Sequence, residues 1–369
     1  MKIERVELFL LRLPLKKPFE TSFGVETHRT PILCRAECDG VVGWSECVAQ
    51  EAPAYSEETV ETCWHILSDF LIPRVLGEEL GGPDDVTARF ERIRGHRMAR
   101  ATLEMAAWDI FAKQHEAPLG RVLGGTRDEI LSGVSIGLQE SLDALVDTVR
   151  RERAAGYLRI KLKIKPGMDI QIAERIRAEF PELDFMLDAN SAYTLDDIPL
   201  FQRIDETRPM MIEQPLAHDD IIDHATLQHA IRTPICLDES IHSADDARKA
   251  IDIGATRIVN IKAGRVGGLR EAKRIHDVCE RHGVPVWCGG MLETGIGRAH
   301  NVQLASLPNF RLPGDVSASN RYFDTELIAE PFQVTAQGTI PVPAGAGIGV
   351  DVLEDRIRAL AIRHDGWPR

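Results

Sequence analysis

An ionisable residue recurs at nearly equal spacing through the middle of the chain. Lys163, Asp188, Glu213 and Asp238 are 25 residues apart, and Lys262 follows after 24. Each lies at or near the end of a short apolar run with the composition of a buried strand, and a helical pattern follows each run. This period accommodates one strand, one helix and two short loops, so it predicts a repeated βα unit.

Repeated βα units form either a closed barrel or an open doubly wound sheet. In a barrel the carboxyl ends of the strands converge on one face, where active sites lie, whereas the strand ends of an open sheet do not meet at one point. Because the recurring residues all lie at carboxyl ends, the pattern favours the barrel. Before residue 125, strand-like runs around an Asp39–Gly40 turn signal and later helical patterns predict a separate α+β unit.

Three carboxylates at one face of a barrel would repel one another strongly if they were buried without a cation. Asp188, Glu213 and Asp238 offer hard oxygen ligands, which suit Mg²⁺, with Mn²⁺ as a substitute. Each acid taken singly could instead cap the helix that follows its strand. Three acids in register with two lysines make a metal site the better interpretation.

The segment RIKLKIKPG at residues 159–167 places its cations on one face of a strand, because strand side chains alternate. Lys161 and Lys163 are predicted to face the barrel interior, with Lys262 roughly across the barrel from them. A lysine shielded from water beside a metal and another cation has a lowered pKa and can act as a base near neutrality. Because two bases on opposite sides of a substrate can remove and return a proton at one carbon, Lys163 and Lys262 are the candidate catalytic residues.

The net charge limits which binding partners fit the sequence, and the cysteines indicate the cellular compartment. The formal net charge of −13 argues against nucleic acid and against an anionic membrane, because both require a basic surface. We therefore expect a small carboxylate substrate in a local cationic pocket. The seven irregularly spaced cysteines and the interrupted apolar run at the N-terminus predict a cytoplasmic protein.

The motifs resemble those of the enolase superfamily, in its muconate cycloisomerase (muconate-lactonizing) subgroup. Within it, the chain is most similar to the o-succinylbenzoate synthase and N-succinylamino acid racemase family, through KLKIKPG, LDANSAYTL, IEQPL, PICLDESI, NIKAGRVGG and VPVWCGGMLETGIGRAHN. The resemblance implies an α/β fold, a modified TIM (β/α)7β barrel with an α+β capping domain formed by the N-terminal region and the C-terminal segment. The expected bounds are 1–125 for the capping domain, 126–320 for the barrel and 321–369 for the segment that returns to the cap. We also expect the protein to be a homo-oligomer.

The resemblance also assigns site roles, position by position. The metal ligands would be Asp188, Glu213 and Asp238, and the acid/base residues Lys163 and Lys262. Substrate-binding roles would fall to Phe19, Phe23, Ser135, Lys161, Asn190, Gly290, Met291 and Leu292. Supporting roles would fall to Glu239, Asn260 and Arg265.

Two of these assignments have alternatives. Phe19 and Phe23 lie in a segment that is either a plain connection between strands or, as the resemblance suggests, a mobile lid that excludes water. Arg265 is either a surface cation at the start of a helix or a neighbour whose charge lowers the pKa of Lys262.

The implied activity is Mg²⁺-dependent removal of a proton next to a carboxylate, through an enolate. Dehydration to o-succinylbenzoate, in menaquinone biosynthesis, and racemisation of N-succinylamino acids use the same residues, so the sequence does not separate them. Muconate cycloisomerase and dipeptide epimerase are alternatives, although the Asp-x-Asp expected of an epimerase reads Asp-Val-Ser at residues 315–317. From other classes, a metal-free Schiff-base lyase with a lysine nucleophile and a non-catalytic carboxylate-binding module are the alternatives.

Overall fold

The N-terminal part of the chain forms an antiparallel sheet and a separate hairpin. The computed structural model describes residues 1–22 and 24–368. The first strands are β1 (Arg5–Leu10), β2 (Leu13–Thr21), β3 (Gly24–Arg29), β4 (Ile32–Cys38) and β5 (Val41–Cys47). β1, β4 and β5 share one sheet, whereas β2 and β3 pair with each other. Asp39 and Gly40 both have positive φ angles, as a tight hairpin turn requires, which confirms the predicted turn.

Helices follow and pack against this sheet. They are α1 (Val60–Ile66), which continues into a π-helical turn at Leu67–Leu71, then α2 (Ile72–Val75), α3 (Pro83–Arg89), α4 (Arg97–Gln114) and α5 (Leu119–Leu123). The apolar stripe of α4, which includes Leu103 and Ile110, is fully buried. Gly43 of β5 lets α4 lie directly on the sheet, because a side chain at that position would collide with the backbone of Ala106.

Parallel strands and helices then alternate, and each strand pairs with the next one in sequence. A short strand, β6 (Glu129–Leu131), comes first and is not part of the parallel sheet. The parallel strands are β7 (Gly133–Ile136), β8 (Arg159–Lys163), β9 (Phe185–Asp188), β10 (Ile212–Glu213), β11 (Ile235–Leu237), β12 (Ile258–Ile261) and β13 (Val286–Cys288). The helices are α6 (Leu142–Ala154), α7 (Ile170–Glu179), α8 (Ile198–Glu206), α9 (Ile222–Ala230), α10 (Ala244–Asp252), α11 (Ala263–Val266), α12 (Leu269–Arg281) and α13 (Gly295–Ala305). The repeated βα unit is confirmed. No helix in the described ranges has the length and apolar character that a bilayer crossing requires.

The sheet closes through the segment that follows α13. Gly314 forms a parallel bridge with Ser132, next to β7. On the other side, Asp315 N donates a 2.8 Å hydrogen bond to Cys288 O of β13. This segment therefore takes the place of the last barrel strand between β13 and β7. The predicted modified barrel is confirmed.

The end of the chain returns to the capping sheet. It contains β14 (Thr339–Pro341), which pairs with β6, then α14 (Glu354–Leu360) and β15 (Arg363–Trp367). β15 pairs antiparallel with β1, so the C-terminal strand lies beside the N-terminal one at the edge of the sheet. Both ends of the chain therefore build the capping domain, as the resemblance implies.

Side-chain alternation along β8 separates the hydrophobic core from the charged interior of the barrel. Ile160 and Leu162 belong to the main hydrophobic core beneath the helices. Arg159, Lys161 and Lys163 are also buried, and each forms an ion pair with a buried acid. Because a parallel strand of this kind is covered on both faces, Arg159, Lys161 and Lys163 are packed in the interior, whereas Lys165, beyond the end of β8, is partly exposed.

Candidate active site

The predicted ionisable residues come together at the carboxyl ends of neighbouring strands. Lys163, Asp188 and Glu213 are the last residues of β8, β9 and β10, and they are direct neighbours across the ladders. Asp238 and Lys262 follow β11 and β12 by one residue. The three acids are fully enclosed, and both lysines are buried. The structure thus places all five residues at one end of the barrel.

The two lysines of β8 pair with acids on the next strands. Lys163 Nζ lies 2.6 Å from Asp188 Oδ2 and 2.6 Å from Asn190 Oδ1. Lys161 Nζ lies 2.9 Å from the same Asp188 oxygen and 2.7 Å from Glu213 Oε2. Lys161 therefore links two of the candidate metal ligands, while Lys163 stands closer to the pocket rim.

Lys262 has different partners on the other side of the site. Its Nζ lies 2.7 Å from Asp238 Oδ2 and 3.0 Å from the Tyr55 hydroxyl, and the centroid of the Tyr55 ring is 4.4 Å away. The Tyr55 hydroxyl donates a 3.0 Å hydrogen bond to Asp238 Oδ1. A residue of the capping domain thereby holds both Lys262 and its acid.

Arg265 is buried and is not a surface cation. One guanidinium nitrogen donates to Asp238 Oδ1, and the others donate to Ile241 O at 2.9 Å and Asn260 O at 2.6 Å. The direct ionic partner of Arg265 is thus the carboxylate of Asp238.

The pKa values of the two candidate catalytic lysines shift in opposite directions. Burial lowers the pKa of Lys163, and the nearby Asp188 offsets this only in part. Burial would also lower the pKa of Lys262, but its neighbours, among them Tyr55 and Glu239, raise it above the ordinary value. The direction agrees with the expected lowering of the pKa at Lys163, whereas Tyr55 and Glu239 oppose it at Lys262. The expectation concerned a lysine beside a bound metal, and for both residues it stays a prediction.

Amide side chains and one further acid hold the carboxylates in place. Asn190 N donates to Asp188 Oδ1 at 3.0 Å, and the Asn190 side chain donates to Glu239 Oε1 at 3.0 Å. Asn260 Nδ2 donates to Glu213 Oε1 at 2.8 Å. The structure therefore brings all the predicted supporting residues into contact with the charged cluster.

The donor set fits a hard divalent cation. Glu239 Oε2 is buried and accepts no hydrogen bond from the described residues, whereas Glu213 Oε2 is paired with the ammonium group of Lys161. Burial and the charge of Asp188 raise the pKa of both Glu213 and Glu239. Buried carboxylates that repel one another in this way are suited to a cation with oxygen ligands.

The three candidate ligands are nevertheless more widely spaced than a compact metal cluster. Within the described ranges, only His276, Asp277 and Glu280 on α12 bring three potential ligand atoms within 4.8 Å of one another. In that group both ring nitrogens of His276 are already engaged, by Asp277 and by the backbone N–H of Asn309. At the barrel mouth, Asp188 and Glu213 instead form ion pairs with the lysines of β8, and Asp238 forms ion pairs with Lys262 and Arg265.

A pocket lies over the charged cluster. Among the predicted substrate-binding residues, its walls include Phe19, Ser135, Lys161, Asn190, Gly290, Met291 and Leu292. Phe23 lies outside the described residues. The hydroxyl of Ser135 is buried and has no hydrogen-bond partner in the described part of the chain, so it is available to a ligand.

The β2–β3 hairpin covers this pocket. Glu20 O accepts a 3.1 Å hydrogen bond from Leu138 N, and the Glu20 side chain pairs with Lys165 at 3.2 Å. The ring of Phe19 meets Tyr322 edge-on, with centroids 6.4 Å apart. The segment is therefore a hairpin seated on the barrel mouth, which is the placement that a lid needs.

Sequence reasoning missed Tyr55, Arg298 and Tyr322, which also line the pocket. None of them follows a barrel strand at the recurring period, since they come from the loop before α1, the first turn of α13 and the C-terminal segment. The run ETGIGRAHN does indicate Arg298, because this residue is the one arginine or lysine in the first turn of α13. Tyr55 and Tyr322 have no comparable local signal.

Two family models match the chain: the mandelate racemase / muconate lactonizing enzyme N-terminal domain over residues 5–124, and the enolase C-terminal domain-like model over residues 144–356. The o-succinylbenzoate synthase of Geobacillus kaustophilus is 54% identical over 95% of this chain and 94% of its own length. The N-succinylamino acid racemase of Thermus thermophilus is 48% identical over 95% of both chains. A solved enolase superfamily member from Listeria innocua has a TM-score of 0.95 at 39% identity and covers 99% of both chains.

Proposed function

We propose that this chain, an enzyme that belongs to the enolase superfamily, removes the proton next to a substrate carboxylate with the help of a divalent metal, Mg²⁺ or Mn²⁺. The reactions proposed are dehydration to o-succinylbenzoate and racemisation of N-succinylamino acids, after the names of its relatives. Both reactions begin with the loss of one proton from a carbon beside a carboxylate, so one site can serve both.

The observation that carries this proposal is the pair of buried lysines on opposite sides of one pocket. Lys163 ends β8, and Lys262 follows β12, four strands away in the sheet. Both line the pocket. In racemisation, one lysine would take the proton from one face of the carbon, and the other would return a proton to the opposite face.

The acids and their partners would prepare the site for the substrate carboxylate. Bound by Asp188, Glu213 and Asp238, a divalent cation would supply the positive charge that stabilises the carboxylate as its neighbouring carbon loses a proton. Asn190 and Lys161 contact these acids and keep them oriented. The hairpin above the pocket would exclude water while the substrate carries the negative charge that results from loss of the proton.

In dehydration, Lys163 would remove the proton and then assist departure of the hydroxyl group on the same face. Lys262 would contribute mainly as a nearby cation. The buried Ser135 hydroxyl and the loop at residues 290–292 line the pocket and would contact the acyl group.

One observation disfavours dipeptide epimerisation. Asp315 is already paired with Arg159 at 2.8 Å and with Lys161 at 3.1 Å, and these cations lower its pKa to about 2 against the effect of burial. Although Asp315 lines the pocket, its carboxylate already has two cationic partners of this chain, which disfavours a role in binding a substrate ammonium group.

Steady-state kinetics with both substrates, in the presence of Mg²⁺, tests this proposal. We expect turnover of at least one of them, together with uptake of deuterium at the α-carbon of N-succinylamino acids in D₂O. Absence of both turnover and exchange in the folded, metal-loaded protein would refute the proposal. If borohydride inactivates the protein in the presence of substrate and in the absence of metal, the result would support the Schiff-base alternative instead.

A further inference from the structure

A glutamate of the capping domain caps a helix of the barrel. Glu46, near the end of β5, accepts hydrogen bonds from Thr294 N and Gly297 N, both at 3.1 Å. The Thr294 hydroxyl donates a 2.6 Å hydrogen bond to the same carboxylate. These donors form the first turn of α13, whose positive dipole end favours an anion. Glu46 is 4% exposed, so this cap lies inside the interface between the two domains.

The glycines of ETGIGRAHN make room for such caps. A Cβ atom on Gly297 would lie 2.8 Å from Glu46 Oε2, and one on Gly295 would lie 2.5 Å from Glu326 Oε1. Glu326 accepts a 3.0 Å hydrogen bond from Gly295 N. The first turn of α13 is thus built to receive carboxylates from outside the helix, and Glu46 is the one that comes from the N-terminal part of the capping domain.

The capped helix directly follows the wall of the pocket. Gly290, Met291, Leu292 and Glu293 line the pocket, and Thr294 comes next. Leu292 has a φ angle of +58°, a conformation that costs energy for a residue with a branched side chain and persists only when the surroundings hold it. Asn301 of α13 holds Glu293 by a 2.9 Å hydrogen bond, and Glu46 holds the end of the loop at Thr294.

We infer that Glu46 is a positioning residue, through which the capping domain holds the loop at residues 290–294 in the shape that receives the acyl group of the substrate. The identity of the acyl group rests on the proposed function, whereas the anchoring of the loop does not. Glu46 touches neither the charged cluster nor the pocket, so it acts through Thr294 and α13.

Glu104 provides a matched comparison. This residue of α4 caps a different barrel helix, α12, by accepting 2.8 Å hydrogen bonds from Leu269 N and Arg270 N, and it is 1% exposed. Gly268 makes room for it in the same way. Because α12 follows the segment after Lys262, a change at Glu104 disturbs an equivalent cap without touching the loop at residues 290–294.

The kinetic test compares Glu46→Ala with Glu104→Ala, because alanine removes the acceptor oxygens of each cap, using N-succinyl and N-acetyl forms of one amino acid. We expect Glu46→Ala to raise KM for the N-succinyl substrate about five- to tenfold, which matches the loss of one helix cap, with a smaller rise for N-acetyl and kcat within about twofold. Glu104→Ala should leave the ratio of the two KM values unchanged. Equal KM changes for both substrates in Glu46→Ala, or the same change of ratio in Glu104→Ala, would overturn the inference.

Hydrogen exchange tests the anchoring independently of activity. Amides at residues 290–297 should exchange faster in Glu46→Ala than in the wild type, while those at residues 268–272 should change only in Glu104→Ala. Unchanged exchange at residues 290–297 would overturn the anchoring. If Glu46→Ala does not fold, Thr294→Val removes the hydroxyl contact from the other side and should change both readouts in the same direction. An inactive wild type would refute the proposed function and the substrate part of this inference, and exchange alone would then decide the anchoring.

Discussion

Replacing Glu104 by glutamine is expected to change how the stability of the protein depends on pH. Glu104 lies in the interface between α4 and α12, and burial raises the pKa of its carboxyl group from 4.5 to about 7, although the N–H groups of Arg270 and Leu269 partly oppose this rise. The same group in the unfolded chain keeps the ordinary value. Between these two pKa values the native protein therefore holds a proton that the unfolded chain has lost.

The sign and size of the effect follow from this difference. The stability that neutral Glu104 contributes is complete below the unfolded pKa of 4.5, and it is lost as the pH rises towards the native pKa of about 7. A difference of about 2.5 pKa units corresponds to about 3 kcal/mol of unfolding free energy. Because glutamine does not titrate, Glu104→Gln should become more stable relative to the wild type by about 2 to 3 kcal/mol between about pH 5 and about pH 8.

Urea unfolding of both proteins at several pH values measures this difference. Far-UV circular dichroism reports on the whole fold, and fluorescence adds a local probe, since the indole N–H of Trp108 donates a 2.8 Å hydrogen bond to Glu104. The measurement at the lowest pH is the internal control, because both side chains are then neutral. A difference in free energy that stays constant across the range would mean that native Glu104 remains ionised at the positive end of α12, and the reasoning from burial would be wrong.

Further predictions concern the proposed reaction. A chelator should abolish activity and Mg²⁺ or Mn²⁺ should restore it, whereas full activity in excess chelator would contradict the metal assignment. In D₂O, Lys163→Ala and Lys262→Ala should each lower the rate of racemisation by a factor of at least ~10², and each variant should still exchange the α-proton of one enantiomer, a different one in the two variants. Exchange with the same enantiomer in both variants would exclude the two-base model. Phe19→Ala should lower kcat/KM more for a long N-acyl substrate than for a short one, and equal losses would mean that the hairpin does not select the acyl group. Tyr55→Phe removes the hydroxyl between Lys262 and Asp238 and should lower kcat about tenfold, which steady-state rates can check against an unchanged melting temperature.

The barrel and its charged residues could be predicted because their signals are local. The five strands predicted to end near Lys163, Asp188, Glu213, Asp238 and Lys262 are present, and the place of each ionisable residue follows from its position in the repeat. Strand side chains alternate over a few residues, so the inward placement of Lys161 and Lys163 needed no information from elsewhere in the chain.

Contacts between the two domains could not be predicted in this way. The hydrogen bond between Tyr55 and Lys262 joins residues 207 positions apart, and that between Glu46 and Thr294 joins residues 248 positions apart. Both depend on how the capping domain docks on the barrel, which no short pattern encodes. The partner of Lys262 outside the barrel has the same origin, because Tyr55 reaches this lysine from the other domain.

The pairing of β15 with β1 imposes an order on folding during synthesis. Every strand of the barrel wall, and the segment that closes it, precede residue 316, so the ribosome can release a complete barrel first. β1 is synthesised at the start, yet one of its edges has no neighbour until residues 363–367 emerge. During that interval β1 presents an unpaired strand edge, the kind of surface on which chains associate wrongly. The capping sheet therefore cannot be complete until residues 363–367 have emerged, and a chain that stalls before residue 363 leaves β1 with one unpaired edge.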